Sequence, residues 1–292
     1  MTIPRCPDRL SKDQIQQFEQ AGFLAFSDVL TPLDLQRSRE ALSRITSELT
    51  GGWESVYSPP KRIGANQSGA TFKRAGSRSM LQLEPGYDPV GQSPQDMELM
   101  VRKFMWFCQE DGVFEDMVSA AGRLHHIIED LIGTDPILFQ EMALVKPPFI
   151  GSEKPWHQDN AYFSVEPLDA IVGVWIALDD ANPKNGCMHV IPGGHVSGGF
   201  KHHHGSDCEI ETSLLDMSKA VAVPVPAGGA MFFYGMLPHE TPPNRSPHRR
   251  RALQFHFRGA HTRIVDEETY DRLFVDRSGS PASCRAASRA GF

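Results

Sequence analysis

The segment PWHQDNAYF, residues 155 to 163, sets an imidazole and a carboxylate two positions apart, His157 and Asp159. On an extended segment residues i and i+2 project to the same side, so both groups can aim at one point while Gln158 turns away. That makes two neighbouring ligands for a metal ion. In a chain with 12 histidines such a pair arises about once by chance, so a third ligand is needed before it carries weight. His239 supplies it, at the end of AMFFYGMLPHE, where Met231, Phe233, Gly235 and Leu237 share its face if the strand stays regular. Two histidines and one carboxylate leave three positions open on Fe(II), as an O2-activating centre with a two-toothed co-substrate requires. Zinc on the same three ligands is the alternative, since three-ligand zinc sites are hydrolytic.

A co-substrate needs an anchor. Eleven residues beyond His239, Arg250 shares a strand face with Ala252, Gln254 and His256, while Arg251 shares the other with Leu253, Phe255 and Phe257. The apolar face belongs under helices, which leaves Arg250 to look into the cavity. A desolvated guanidinium there grips the distal carboxylate of 2-oxoglutarate through two hydrogen bonds, a geometry that Lys cannot copy. The bland reading of HRRR is a solvated basic turn.

These groups must be held by a scaffold, and the chain divides into two halves that supply one. In the first, Ser11 caps a helix with Ile15, Phe18 and Ala21 on one face and Gly22 as its stop, the short strand FLAF follows, and Thr31 and Pro32 open a second helix carrying Leu35, Ala41, Leu42 and Ile45. Residues 51–95 are rich in Gly, Ser and Pro and predict a long mobile loop; residues 96–132 predict a helical region. After Gly133 the pattern becomes short strands (ILFQEMALVK, AIVGVWIALDD, CMHVIPG, AVAVPVP, AMFFYGM, RALQFHFRGA) separated by turn residues such as NPKNG, as in a sandwich or small barrel. We read residues 1–292 as a single domain with its core at about 11–262 and a flexible tail at about 278–292.

Composition narrows the partners. A net charge of −7 gives no long-range attraction to phosphate backbones, so nucleic acid is not the expected partner. No signal peptide and no apolar run long enough for a membrane span is legible, which predicts a soluble cytoplasmic protein without a membrane partner. Cys6, Cys108, Cys187, Cys208 and Cys284 are odd in number and scattered, and are expected to be free thiols. Nothing bears on oligomeric state.

PWHQDNAYF, then GVWIALDDANPKNGCMHVIPGGH, then His239 and Arg250, with QFEQAGFLAF near the start, resemble the phytanoyl-CoA dioxygenase family of Fe(II)- and 2-oxoglutarate-dependent oxygenases. The resemblance runs from about residue 11 to 262, with the motifs in order and at matching distances. It implies a mainly β fold, a double-stranded β-helix of the jelly-roll or cupin type with an N-terminal helical layer. It further implies iron on His157, Asp159 and His239, 2-oxoglutarate anchored by Arg250, and O2 as the third reactant. By position Met142, Trp175 and Thr241 match residues lining the 2-oxoglutarate pocket, and Lys103 matches another. PGGH stands where the family more often has PGSH. Relatives that halogenate lack the carboxylate ligand, so Asp159 argues for hydroxylation of an aliphatic carbon in a small molecule, either an acyl-CoA or an unattached metabolite or natural product, with release of succinate and CO2. A metal-dependent hydrolase or a non-catalytic binding module in the same barrel are the competing readings.

Other motifs have blander accounts. HHH at 202–204 reads as an exposed loop, because consecutive histidines cannot all face one ion. His189 and His195 read as polar strand or turn positions. Trp156, Tyr162 and Phe163 either shape a substrate pocket or pack the barrel lip. Lys73, Arg74 and Arg78 would suit a lid over an anionic substrate, or a solvated loop.

Overall fold

In the computed structural model, which describes residues 3–52, 55–60, 62–63, 66–204 and 207–275, the chain starts as its capping residues dictate. Ser11 Oγ accepts from the Gln14 N–H at 3.2 Å, and the Gln14 side chain accepts from the Ser11 N–H at 2.9 Å. That capping box opens helix α1 (Lys12–Ala21), and Gly22 at φ 84° ends it. A Cβ at Gly22 would also lie 2.5 Å from His195 Nδ1, so the close approach as well as the turn requires glycine. His195, on a single 3-10 turn, stacks on Tyr234 and reaches Glu19 O at 3.0 Å, which makes it a tie between α1 and the barrel. Helix α2 (Pro32–Gly51) begins at Thr31, whose Oγ1 accepts from Asp34 N at 3.1 Å.

The strands, in chain order, are β1 (Phe23–Phe26), β2 (Ser55–Ser58), β3 (Thr71–Arg74), β4 (Met80–Leu83), β5 (Val101–Met105), β6 (Pro136–Lys146), β7 (Lys154–His157), β8 (Ile171–Ala177), β9 (Met188–Val190), β10 (Val221–Val223), β11 (Ala230–Tyr234), β12 (His239–Thr241) and β13 (Arg250–Gly259). Among the described residues they form a nine-stranded sheet in the order β1-β11-β8-β13-β6-β5-β4-β3-β2 and a four-stranded sheet in the order β10-β9-β12-β7. The pairings are antiparallel. Between the sheets Trp175, Met231, Phe233, Leu237 and Ala252 meet Met188, Val190 and Val223 in one apolar cluster. The result is the predicted jelly roll with flanking helices. On the other face of the large sheet Phe232, Leu253, Phe255 and Phe257 pack beneath Phe18, Leu42, Ile45, Ile127 and Ile128, the last two from helix α3 (Arg123–Ile132). Alternation along β13 therefore sends its greasy face to the helices and Arg250 to the barrel interior.

Three expectations are corrected. The stretch read as a mobile loop, 51–95, contributes β2, β3 and β4 to the sheet edge. Its buried residues, Phe72, Leu81 and Leu83, alternate with Lys73 and Gln82 too sparsely to show a period in sequence. Of the cations proposed for a lid, Arg74 is held by Glu48 and Glu110, each at 2.8 Å, and the Arg78 guanidinium lies 3.7 Å from the centre of the Trp106 ring. Within the region read as helical, residues 101–105 form a strand. Met97, Val101 and Phe104 are buried at spacings of four and three, which mimic one continuous helix, although the short helix Pro94–Glu98 ends just after Met97 and Val101 and Phe104 lie on extended backbone. Cys6, Cys108 and Cys187 are free and buried, but Cys208 is disulfide-bonded, a pairing that scattered spacing does not reveal. The predicted tail at 278–292 lies outside the described residues. No helix among the described residues is long and apolar enough to cross a membrane.

Candidate active site

β7 ends at His157 and the chain turns at once. Asp159 has helical backbone (φ −60°, ψ −34°) and opens the single turn Asn160–Phe163, so the expected i, i+2 pair on an extended segment is instead a strand end followed by a turn. The two side chains still converge. Nor does the strand before His239 stay regular: β11 stops at Tyr234, and residues 235–238 carry the chain from the large sheet to the small one. β12 then pairs with β7 so that His239 lies directly opposite His157. Asp159 Oδ1 is 3.3 Å from His157 Nε2 and 3.7 Å from His239 Nε2. All three residues are buried, and their ligand atoms lie within 4.8 Å of one another.

Each histidine is oriented by the carbonyl two residues before it. His157 Nδ1 lies 2.7 Å from Pro155 O and His239 Nδ1 2.9 Å from Leu237 O. A carbonyl only accepts, so Nδ1 carries the proton and the Nε2 lone pair faces the centre, the tautomer a metal ligand needs. Burial, aided by the neighbouring His157, pushes His239 down to about 3 and keeps it neutral at pH 7. Burial alone would raise the Asp159 carboxyl, but the histidines around it, His239 and His256 foremost, hold it well below the usual carboxylate range. Two imidazoles and one carboxylate whose ligand atoms converge fit a divalent ion.

Behind this set lies a support that the sequence reading missed. Gln158 does turn away, into full hydrogen bonding: Nε2 donates to Gly198 O at 2.8 Å and Met236 O at 2.7 Å, and Oε1 accepts from Phe200 N at 2.8 Å. Its backbone N–H donates to His202 Nε2 at 3.0 Å. His202, read as exposed, is buried on the ribbon His202–His204 with Cys208–Ile210. HHH is thus partly a structural clamp on the chain between two ligands. Asp159 Oδ2 has a partner of its own, His256 Nε2 at 2.7 Å; only its shared face with Arg250 was legible in sequence. Trp156 packs with Ile191, Ile210 and Leu215, and Phe163 with Phe139. Tyr162 edges the His157 ring and accepts from Lys154 Nζ at 2.5 Å. His189 lies 3.7 Å from Glu240, away from the three ligands in chemistry.

Most of the residues expected to contact a co-substrate share the inner face of the large sheet. Opposite residues of an antiparallel pair point the same way, and register sets Met142 and Trp175 opposite Gln254, Leu144 opposite Ala252, and Lys103 opposite Leu144. Arg250 and Trp175 are within 1% of complete burial, and the guanidinium lies 5.3 Å from the Trp175 ring centre. Arg250 Nη1 donates to Leu144 O at 3.1 Å, while Arg250 Nε and Trp175 Nε1 are buried without partners. A buried guanidinium with an unsatisfied donor fits a missing anion. Burial pulls Arg250 down to about 10 and the half-buried Lys103 down to about 8. Thr241 lies on β12 two residues beyond His239, its carbonyl accepting from Lys146 Nζ at 3.0 Å. Gly173, opposite His256, leaves room for the Phe233 ring, which a Cβ would meet at 2.5 Å; that ring in turn backs His239 at 4.9 Å.

Known proteins share this arrangement at several levels. The profile of the family described as Phytanoyl-CoA dioxygenase (PhyH) matches residues 18–252. Phytanoyl-CoA dioxygenase domain-containing protein 1 of Rattus norvegicus is 28% identical over 261 residues, covering 85% of this chain and 89% of the rat protein. Phytanoyl-CoA dioxygenase 1 of Oryza sativa subsp. japonica is 28% identical over 254 residues, covering 85% and 88%. Among solved structures, EctD from S. alaskensis with bound Fe aligns with a TM-score of 0.65 at 18% identity, over 98% of this chain and 93% of its own. EvdO2 from Micromonospora carbonacea var. aurantiaca, complexed with 2-oxoglutarate, aligns with a TM-score of 0.61 at 23% identity, over 91% and 97%. At these identities the structures establish the fold. The profile match spans most of the jelly roll and includes His157, Asp159, His239 and Arg250, and the chain belongs to the phytanoyl-CoA dioxygenase family of 2-oxoglutarate-dependent oxygenases.

Proposed function

We propose that this protein hydroxylates an aliphatic carbon of a small molecule, with Fe(II) held by His157, Asp159 and His239 and 2-oxoglutarate anchored by Arg250. The observation that carries the reading is the unsatisfied Arg250 guanidinium on the inner face of the sheet that faces the three convergent ligands. Bound there, iron and 2-oxoglutarate supply the oxidising chemistry: O2 is consumed, 2-oxoglutarate becomes succinate and CO2, and one oxygen atom goes to the substrate.

The protein's part is binding, orientation and exclusion of water. Carbonyl-oriented imidazoles present preset lone pairs, and the carboxylate adds one negative charge. Three protein ligands would leave positions open for co-substrate and O2. Arg250 fixes the far end of the co-substrate, with Trp175 as the floor beneath its guanidinium and Met142, Thr241 and Lys103 as further contacts. No proton-transfer residue is needed. Arg250 also weighs against a hydrolytic zinc site, which has no use for a buried guanidinium on this face. The substrate is an acyl-CoA, as the rice relative's name gives for that protein, or an unattached metabolite or natural product. Succinate release across a panel of both classes, with Arg250→Ala beside the wild type, tests the proposal: substrate-dependent succinate with an oxygenated product supports it, and hydrolysis products or zinc-dependent turnover would replace it.

A further inference from the structure

We infer that His256 is a positioning residue that keeps Asp159 a one-oxygen ligand, an inference that rests on the proposed iron site. Oδ1 of Asp159 faces His157 and His239 Nε2, at 3.3 and 3.7 Å, so this oxygen looks toward the metal position. Oδ2 points away and meets His256 Nε2 at 2.7 Å and Gln254 Nε2 at 3.4 Å. A ring nitrogen 2.7 Å from a carboxylate oxygen must carry the shared proton, which makes His256 the donor.

The ring is placed by its surroundings. His256 is fully buried, with Phe163, Phe139 and Phe233 at 4.8, 6.2 and 6.5 Å between ring centres. Its Nδ1 has no partner, so an aromatic box, the short contact with Asp159 and a longer one of 3.1 Å between its Nε2 and Gln254 Nε2 set its orientation. A carboxylate that chelates through both oxygens would close one of the three positions that the co-substrate and O2 require. Engaging Oδ2 prevents this and holds the carboxylate against rotation. His256 and Gln254 follow Arg250 on one strand face, opposite Gln140 and Met142. β13 thereby sets both the co-substrate anchor and the attitude of the carboxylate ligand.

The test uses the full chain as wild type, His256→Phe, which fills the box without a donor, and His256→Gln, which restores one. Apoprotein melts and anaerobic Co(II) titrations, read by visible absorption, come first. The phenylalanine variant is expected to melt within a few degrees of wild type, to bind Co(II) about 10–100-fold more weakly, and to show an altered coordination spectrum, with most of the affinity recovered by glutamine. Wild-type Co(II) affinity and spectrum in His256→Phe would overturn the inference, as would a glutamine variant as impaired as the phenylalanine one. Should neither variant fold, the same titration on His256→Asn, whose amide is too short to reach Oδ2, decides it by the same criteria. A Co(II) effect without any 2-oxoglutarate binding by the wild type would support the positioning role while defeating the proposed function, so the two stand or fall separately.

Discussion

Arg250 buries a full positive charge with one hydrogen bond, and replacing it separates the demands of folding from those of the co-substrate. A two-pronged contact with a desolvated carboxylate comprises two charge-assisted hydrogen bonds of about 1.5–3 kcal/mol each. Arg250→Met should therefore weaken 2-oxoglutarate binding by about 3–6 kcal/mol, or about 100- to 10,000-fold. Arg250→Lys keeps the charge but loses the fork and should fall between, at about 10–100-fold. The metal-free, co-substrate-free protein should respond in the opposite sense. Burial pulls the guanidinium from its ordinary value down to about 10, so holding it charged costs about 3 kcal/mol relative to water. Methionine removes that cost while keeping most of the packing over Trp175, so the apoprotein should be as stable as wild type or more so. Anaerobic calorimetry gives the affinities, and melts with and without 2-oxoglutarate give the rest: about 2.7 kcal/mol of stabilisation for wild type at 100 times Kd, and at most about 0.4 kcal/mol at that concentration for methionine. A variant that binds 2-oxoglutarate as wild type does, or an apoprotein destabilised by more than about 3 kcal/mol, would show that Arg250 serves the fold instead.

The neighbouring Arg251 should behave in reverse. Its guanidinium is forked onto Asp179 at 2.9 and 2.8 Å on the helix side of the sheet, so Arg251→Met should lose about 1–3 kcal/mol in denaturant titrations with 2-oxoglutarate affinity unchanged. His202 predicts a pH dependence. Burial pushes it down to about 3 in the folded protein, whereas unfolded histidine titrates near 6.5. Between those values the unfolded chain binds a proton that the folded chain does not, so this contribution is complete above about pH 6.5 and is lost as pH falls, by about 1.4 kcal/mol per pH unit. Unfolding free energies at pH 7.5 and 5.5 should differ by about 1.4 kcal/mol less in His202→Leu than in wild type; equal differences in the two proteins would contradict a lowered His202. Gln158→Leu leaves two buried carbonyls and an N–H unsatisfied, and should cost about 2–4 kcal/mol of stability and loosen the ligand pair, seen as a lowered melting temperature and weaker Co(II) binding.

The four residues proposed to hold iron and 2-oxoglutarate were readable because each role demands a residue type that little else can fill, in an order and spacing set by the strands that carry them. The strands after Gly133 were readable because turn residues such as NPKNG separate them. What escaped notice did so for physical reasons. β3 and β4 carry polar residues on their inner face, so no apolar alternation marks them, and β5 has buried residues at helical intervals. His157 and Asp159 meet through a strand end and a turn, because side-chain spacing does not specify the backbone between. His202 and His256 escaped because a partner behind a ligand needs only to reach one atom from far along the chain. Their hydrogen bonds span 44 and 97 residues, and no local pattern records such a contact.

The central claim is that His157, Asp159, His239 and Arg250 together form one iron and 2-oxoglutarate site. The most direct measurement is the visible absorption of anaerobic protein titrated with Fe(II) and then 2-oxoglutarate, in the wild type and in His239→Ala. A metal-to-ligand charge-transfer band that appears at one equivalent of iron in the wild type and is absent in the variant is the predicted result. Folded wild-type protein that binds Fe(II) and develops no band at saturating 2-oxoglutarate, or a His239→Ala variant that retains the band, would contradict it.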